Sequence, residues 1–153
     1  MAGREDDPLV FGVAVGNVLA GAPFRLDSDL RVTYEGTLLG LFTPFTLLTG
    51  LLSVTMVVLH GAGWLAVKIE DGPVMERARR IGTWAAIGSI VLFAAGGLIV
   101  AKGGLGFRLD GLIDAAGPSN PRFSSAAAVP GAWLANYGAH PWMLVAPLLG
   151  LGG

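Results

Sequence analysis

Cysteine is absent from this chain of 153 residues, and charged residues are scarce at 14%. Without a thiol the chain forms no disulfide, offers no thiolate ligand to zinc or to an iron–sulfur cluster, and holds no cysteine nucleophile. A soluble domain ordinarily carries about 25% charged residues. The net charge is only −1, so the broad basic face that a nucleic-acid partner requires is missing.

Hydrophobic residues are abundant at 53%, and the mean hydropathy is +0.65. Such a composition excludes a disordered chain, although 24 glycines and nine prolines would favour one in a polar sequence. We interpret the chain as an all-α integral membrane protein in which glycine serves close contact between helices.

Two long uncharged stretches predict two complete transmembrane helices. Residues 36–67 and 81–101 contain no Asp, Glu, Lys or Arg, and both exceed the roughly 20 residues that cross a bilayer core. Thr43 and Pro44 favour a helix start, so the first span is predicted over 43–67. The second is predicted over 81–102, where Lys102 precedes glycines.

Two shorter apolar stretches predict partial spans at 9–21 and 139–153. Each would reach only about 20 Å as a helix, which is too short to cross a membrane alone. A signal peptide is a poor interpretation of the first stretch, because acidic residues outweigh Arg4 before it. We therefore expect this chain to be a piece of a larger membrane protein.

The distribution of lysine and arginine predicts the orientation. The connection 68–80 holds four of them and is interpreted as a basic cytoplasmic loop. Residues 22–41 and 103–138 would then lie outside. The first of these shows a small extracytoplasmic hairpin pattern around Asp27, Ser28 and Asp29, and the second is expected to be mostly loop.

Small residues recur along two of the predicted helices and predict helix contact faces. Such residues let helix backbones approach closely in lipid. The positions are Gly12, Gly16 and Ala20 on the first stretch, and Thr46, Thr49, Gly50 and Ser53 on the first complete span.

His60 is the titratable residue inside a complete span, and it is a candidate proton carrier or haem ligand. Its place near the cytoplasmic end favours instead an interfacial or helix-contact histidine, and Met56 one turn away cannot reach the opposite face of a haem. His140 and the pair Asp27 and Asp29 are better explained by a helix start and a solvated turn. We therefore assign no catalytic, cofactor-binding or metal-binding residue in this chain.

Five blocks of sequence resemble, in order and spacing, the middle of subunit II of cytochrome bd-type ubiquinol oxidases. They are GVAVGNVLAGAPFRLDSDLRVTYEG (12–36), LFTPFTLLTGLLSVTMVVLHGA (41–62), ERARR (76–80), SNP (119–121) and PGAWLANYGAHPWM (130–143). The resemblance implies that the chain corresponds to the end of the fifth of about nine spans, the complete sixth and seventh, and the start of the eighth.

The resemblance also implies a function in the aerobic respiratory chain. In that family subunit I binds haems of b and d type, oxidises quinol and reduces dioxygen to water. Subunit II is its non-haem partner in the prokaryotic cytoplasmic membrane. This chain would then bind no cofactor, contact subunit I and lipid, and be inactive alone. The alternative is a small polytopic transporter or scaffold that oligomerises through its Gly/Ala faces.

Overall fold

A computed structural model describes residues 7–103, 105–110, 116–117 and 125–152 of the chain. The elements, in chain order, are α1 (Pro8–Ala20), β1 (Phe24–Leu26), β2 (Val32–Tyr34), a 3₁₀ turn (Leu39–Leu41), α2 (Pro44–Lys68), α3 (Pro73–Lys102), β3 (Phe107–Asp110), β4 (Ser125–Ala128), a 3₁₀ turn (Ala132–Leu134), α4 (Ala135–Ala139), a 3₁₀ turn (Pro141–Leu144) and α5 (Val145–Gly152). The chain divides into two compact units between Gly96 and Gly97, and each is described by itself.

The chain turns into α1 at Asp7, whose carboxylate accepts a hydrogen bond from the amide of Leu9 at 3.0 Å. Pro8 occupies the first helical position, where its missing N–H leaves no hydrogen bond unmade. The buried side of α1 consists of small or branched residues, Gly12, Val13 and Gly16. This face lies against α2.

A two-stranded antiparallel hairpin follows α1, in the segment where the sequence indicates one. Phe24 pairs with Tyr34 and Leu26 with Val32. Asp27 shapes the turn, because one of its carboxylate oxygens accepts hydrogen bonds from the amides of Asp29 at 2.9 Å and Arg31 at 2.8 Å.

Helix α2 starts where the capping residues predict. The Thr43 hydroxyl accepts a hydrogen bond from the amide of Thr46 at 3.2 Å, and Pro44 is the first helical residue. Its 25 residues extend for about 37 Å, which is longer than a bilayer core of about 30 Å.

Helix α3 starts earlier than the sequence pattern indicates, so the expected loop over 68–80 is mostly helical. The helix begins at Pro73, and only residues 69–72 separate it from α2. Pro73 takes a helix start without losing a hydrogen bond, and burial of Met75 and Ala78 holds the charged turns in helical form. Hydropathy marks the end of a span and does not mark the end of a helix.

The second unit contains more regular structure than the expected loop over 103–138. Phe107–Asp110 pairs antiparallel with Ser125–Ala128, so the alanine run lies in a second hairpin. Alanine has little tendency of its own to form strands, and hydrogen bonding to the partner strand decides the conformation here. The predicted block 119–121 lies outside the described residues.

Among the described residues, two helices are long and apolar enough to cross a membrane, Pro44–Lys68 and Pro73–Lys102. Both expose large hydrophobic side chains. Leu51 is 50% exposed, Val91 60% and Leu98 60%. These surfaces are suited to lipid or to other helices rather than to water.

Candidate functional site

The closest contact between helices joins α1 to α2, which run antiparallel. A Cβ atom on Gly12 would lie 2.6 Å from the carbonyl oxygen of Thr49, 2.6 Å from Cβ of Ser53 and 2.8 Å from Cα of Gly50. Two of these three neighbours are backbone atoms, which no change of rotamer can move aside. Glycine is therefore required at position 12 for the helices to approach this closely.

The same contact continues one turn along α1. A Cβ on Gly16 would collide with the Thr49 hydroxyl and would lie 3.0 Å from Cα of Thr46. On α2, a Cβ on Gly50 would lie 2.9 Å from a methyl group of Val13. The structure thus brings six of the seven predicted small residues together. Ala20 is half-buried at the end of α1.

A carbonyl group between the two helices accepts two side-chain hydrogen bonds. The Asn17 amide donates to the carbonyl oxygen of Leu41 at 2.9 Å, and the fully buried Thr46 hydroxyl donates to the same oxygen at 2.6 Å. The Asn17 amide also donates to the carbonyl of Val13 at 2.9 Å. Sequence reasoning missed Asn17, although an amide side chain within an otherwise apolar helix is a signal that could have identified it.

Polar and small residues also join α2 to α3. The Ser89 hydroxyl donates to the hydroxyl of Thr55 at 3.0 Å, and Thr55 donates to the carbonyl of Leu52 at 2.8 Å. A Cβ on Gly82 would lie 2.9 Å from Cβ of Ala62. Hydrogen bonds of this kind contribute about 0.6 kcal/mol on average inside a membrane.

His60 lines a groove of about 980 Å³ that runs between α1 and α2. Phe11, Val15 and Met56 are among its apolar lining residues, and Asp7 also lines it. His60 is exposed and has no described hydrogen bond partner that would orient its ring. Since Met56 and His60 lie one turn apart on α2, they cannot ligate opposite faces of one haem. Met56 and His60 therefore do not form a pair of axial ligands for one haem.

The other sequence candidates lie in a hairpin turn and before a helix start. The Asp27 carboxylate is occupied by backbone amides of its own turn. His140 precedes the 3₁₀ turn Pro141–Leu144, and its carbonyl accepts a hydrogen bond from Met143. Within the described part of the chain, no three His, Cys, Asp or Glu side chains lie close enough together to hold a metal ion.

Comparison with known proteins identifies similar sequences over almost the entire chain. The family described as cytochrome bd terminal oxidase subunit II matches residues 7–152. A protein of Haemophilus influenzae described as probable cytochrome oxidase subunit 2 is 37% identical over 142 residues, which are 92% of this chain and 37% of that protein. The cytochrome bd-I ubiquinol oxidase subunit 2 of Escherichia coli K12 is 38% identical over 144 residues, 94% of this chain and 38% of that protein. The chain spans less than two fifths of the length of these relatives.

Proposed function

The chain belongs to the cytochrome bd terminal oxidase subunit II family, and from this premise we propose that it acts as a non-haem structural part of a bd-type quinol:oxygen oxidoreductase. The proposed complex oxidises quinol and reduces dioxygen to water in the aerobic respiratory chain. The chain contributes helix surfaces to this complex and does not contribute the reacting groups.

The observation that carries this proposal is the continuous match over residues 7–152. It includes every helix and both hairpins that the structure describes. The matched range therefore contains the contact face between α1 and α2 and the long exposed helices. A role through contact with neighbouring helices follows from these features, because small-residue faces and exposed apolar side chains are what membrane helices use to associate.

The proposed location is the prokaryotic cytoplasmic membrane, crossed by residues 43–67 and 81–102. The turn between α2 and α3 faces the cytoplasm, since the helix ends on either side of it hold the four basic residues of the segment 68–80. The hairpin that joins α1 to α2 is then extracytoplasmic. Residues 9–21 and 139–153 are proposed as partial spans.

The proposed partner is the larger, haem-bearing subunit I, which holds the b- and d-type haems and the quinol site. This assignment rests on membership of the family. The isolated chain is accordingly expected to be inactive. Small-residue positions such as Gly12 and Gly50 are proposed to act by helix contact alone.

The proposal is tested by affinity purification of the chain followed by a visible absorption spectrum of the purified material. An affinity-tagged copy of the chain is expressed in its source organism, extracted from membranes in mild detergent and purified. We expect a larger haem protein in a fixed ratio and reduced-minus-oxidised bands of both b- and d-type haem. The tagged chain purified without that subunit should be colourless and should not oxidise quinol.

An unrelated tagged membrane protein of similar size is the control, and it should recover no haem. A colourless assembly containing only copies of this chain would contradict the oxidase role and would favour a transporter or scaffold. Haem bands that follow the chain in the absence of a larger subunit would contradict its assignment as a non-haem subunit.

A further inference from the structure

Helix α3 is longer than the bilayer core is thick, so its first two turns lie outside the core. The helix has 30 residues and is about 45 Å long, whereas the hydrocarbon core is about 30 Å thick. Residues 81–102 alone cover about 33 Å. Residues 73–80 therefore lie at the level of the lipid headgroups. This step depends on the proposed membrane location of α3 and does not depend on membership of an oxidase complex.

Two arginines and a tryptophan share one face of this segment. Arg77, Arg80 and Trp84 are three and four residues apart, a spacing that aligns side chains along a helix. Met75 and Ala78 are buried on another side of α3. Trp84 is 69% exposed. The three side chains thus form an outward-facing stripe with tryptophan nearest the centre of the span.

The end of α2 has the same combination at the same depth. Gly82 of α3 lies beside Ala62 of α2, so Arg80 lies approximately level with Trp64 on the neighbouring antiparallel helix. The Lys68 ammonium lies 5.3 Å from the centre of the Trp64 ring, one turn further from the middle of the membrane. Cations above tryptophans are typical of the membrane interface.

The arginines of the stripe are available for a ligand. Arg79, which points away from the stripe, pairs with Asp71 at 3.4 Å. Arg77 and Arg80 form no ion pair with any described residue, and both are exposed. Glu76 precedes Arg80 by four residues but does not lie within ion-pair distance of it in the described structure. Two positive charges therefore face the headgroup layer without an acidic partner among the described residues.

We propose that Arg77, Arg80 and Trp84 bind the headgroup of an anionic phospholipid. A guanidinium group can donate two parallel hydrogen bonds to a phosphate, and its charge attracts an anionic surface. The indole ring of Trp84 lies below, at the boundary between headgroup and acyl chain. Phosphatidylglycerol satisfies both arginines without adding a cation, whereas the choline of a zwitterionic lipid brings a positive charge beside them.

Quenching of Trp84 fluorescence by brominated lipid tests this site. The full chain carrying Trp64→Phe, Trp133→Phe and Trp142→Phe, which leaves Trp84 as the fluorophore, is reconstituted into phosphatidylcholine vesicles. Brominated phosphatidylglycerol and brominated phosphatidylcholine are then compared as quenchers. We expect phosphatidylglycerol to bind at least about five-fold more strongly, since each arginine near an anionic lipid contributes a factor of about five. The preference should decrease as salt concentration rises.

The variant Arg77→Gln with Arg80→Gln should lower the binding ratio to about one. Arg79→Gln is the matched control on the same helix and should keep the parental ratio. Arg77→Lys with Arg80→Lys should keep part of the preference, because the charge remains while the paired hydrogen bonds are lost.

Flotation of the vesicles and circular dichroism distinguish a chain that inserts without a lipid preference from a chain that does not insert. A parent chain that inserts as helix but binds both lipids equally would overturn the headgroup site and leave the proposed function intact. An unchanged ratio in the double glutamine variant would also overturn it. A parent chain that does not float with vesicles would contradict the membrane location on which both proposals depend.

Discussion

At Gly12 a hydrogen atom occupies the place where any other residue would press a carbon against the backbone of α2. The neighbouring carbonyl of Thr49 and Cα of Gly50 belong to a regular helix, so they can move only if the whole helix moves. The contact is therefore sensitive to a single methyl group.

Gly12→Ala should lower the free energy of unfolding by about 1–3 kcal/mol, the usual range for inserting a carbon into a close-packed contact. Thermal unfolding of the purified chain in detergent, followed by circular dichroism, measures the change. Gly61→Ala on α2 is the matched control, because a Cβ there meets no atom within 4 Å. Equal melting temperatures for the two variants would contradict the importance of this contact.

Single residues differ in how far the sequence predicts them. The repeat of small residues at Gly12 and Gly16 is visible as a spacing, because a helix places residues four apart on one face. His60 is visible as a titratable residue, but its position on a groove beside α1 depends on which helix packs there. Asn17 was missed because its partner, the Leu41 carbonyl, is distant in sequence and carries no side-chain signature.

Helices α1 and α2 are joined at the Leu41 carbonyl, which lies in the turn that precedes α2. Two donors from two different helices reach the same oxygen. Removing one donor leaves the other, whereas removing both leaves a partly buried carbonyl without a described partner. An unpaired carbonyl away from water is destabilising by about 1–3 kcal/mol.

A double-mutant cycle should therefore reveal coupling between Asn17→Leu and Thr46→Val. We expect each single variant to lower stability by about 0.5–1.5 kcal/mol, and the double variant to lose about 1 kcal/mol more than the sum. Chemical unfolding in mixed micelles measures these differences.

Thr83→Val combined with Asn17→Leu is the control cycle. The Thr83 hydroxyl lies on α3 and donates to the carbonyl of Arg79 at 2.8 Å, so it shares no hydrogen-bond partner with Asn17. Its effect should add to that of Asn17→Leu within about 0.5 kcal/mol. Additive behaviour in the Thr46 cycle as well would mean that the two donors act independently.

At the scale of elements, caps were easier to predict than helix lengths. Thr43 and Pro44 indicate the start of α2 because capping is a local hydrogen bond. The start of α3 at Pro73 was not predicted, because the charged turns that follow are held by burial of Met75 and Ala78. Strand β4 was also missed because a contact distant in sequence decides it: its alanines take the strand conformation through hydrogen bonding to β3.

Orientation across the membrane is a property of the whole molecule, and the absence of cysteine makes it directly measurable. A single introduced cysteine is the sole target of a maleimide reagent. The turn between α2 and α3 and the hairpin between α1 and α2 lie at opposite ends of α2. They should therefore react from opposite sides.

Gly72→Cys should be labelled by a membrane-impermeant maleimide only after the cytoplasmic membrane is permeabilised, whereas Asp29→Cys should react in intact spheroplasts. Gly72 lies in the short turn and Asp29 in the hairpin turn. For each variant, the mass shift caused by the reagent gives the fraction of the protein that has been labelled. The opposite pattern would reverse the proposed orientation, and labelling of both variants in intact spheroplasts would contradict a membrane-spanning α2.

The amino-acid sequence alone determined the two long apolar helices, the capped start of α2 and the small-residue faces, because each depends on residues that are close together along the chain. It also determined the family, because five blocks of sequence occur in the family's order. The tertiary structure decided which faces meet, how far α3 extends past the span, and where Asn17, Thr46 and Leu41 converge. It also placed Arg77 and Arg80 above an exposed Trp84. These features depend on contacts between residues that are far apart in sequence, and the pattern of hydropathy along the chain does not record such contacts.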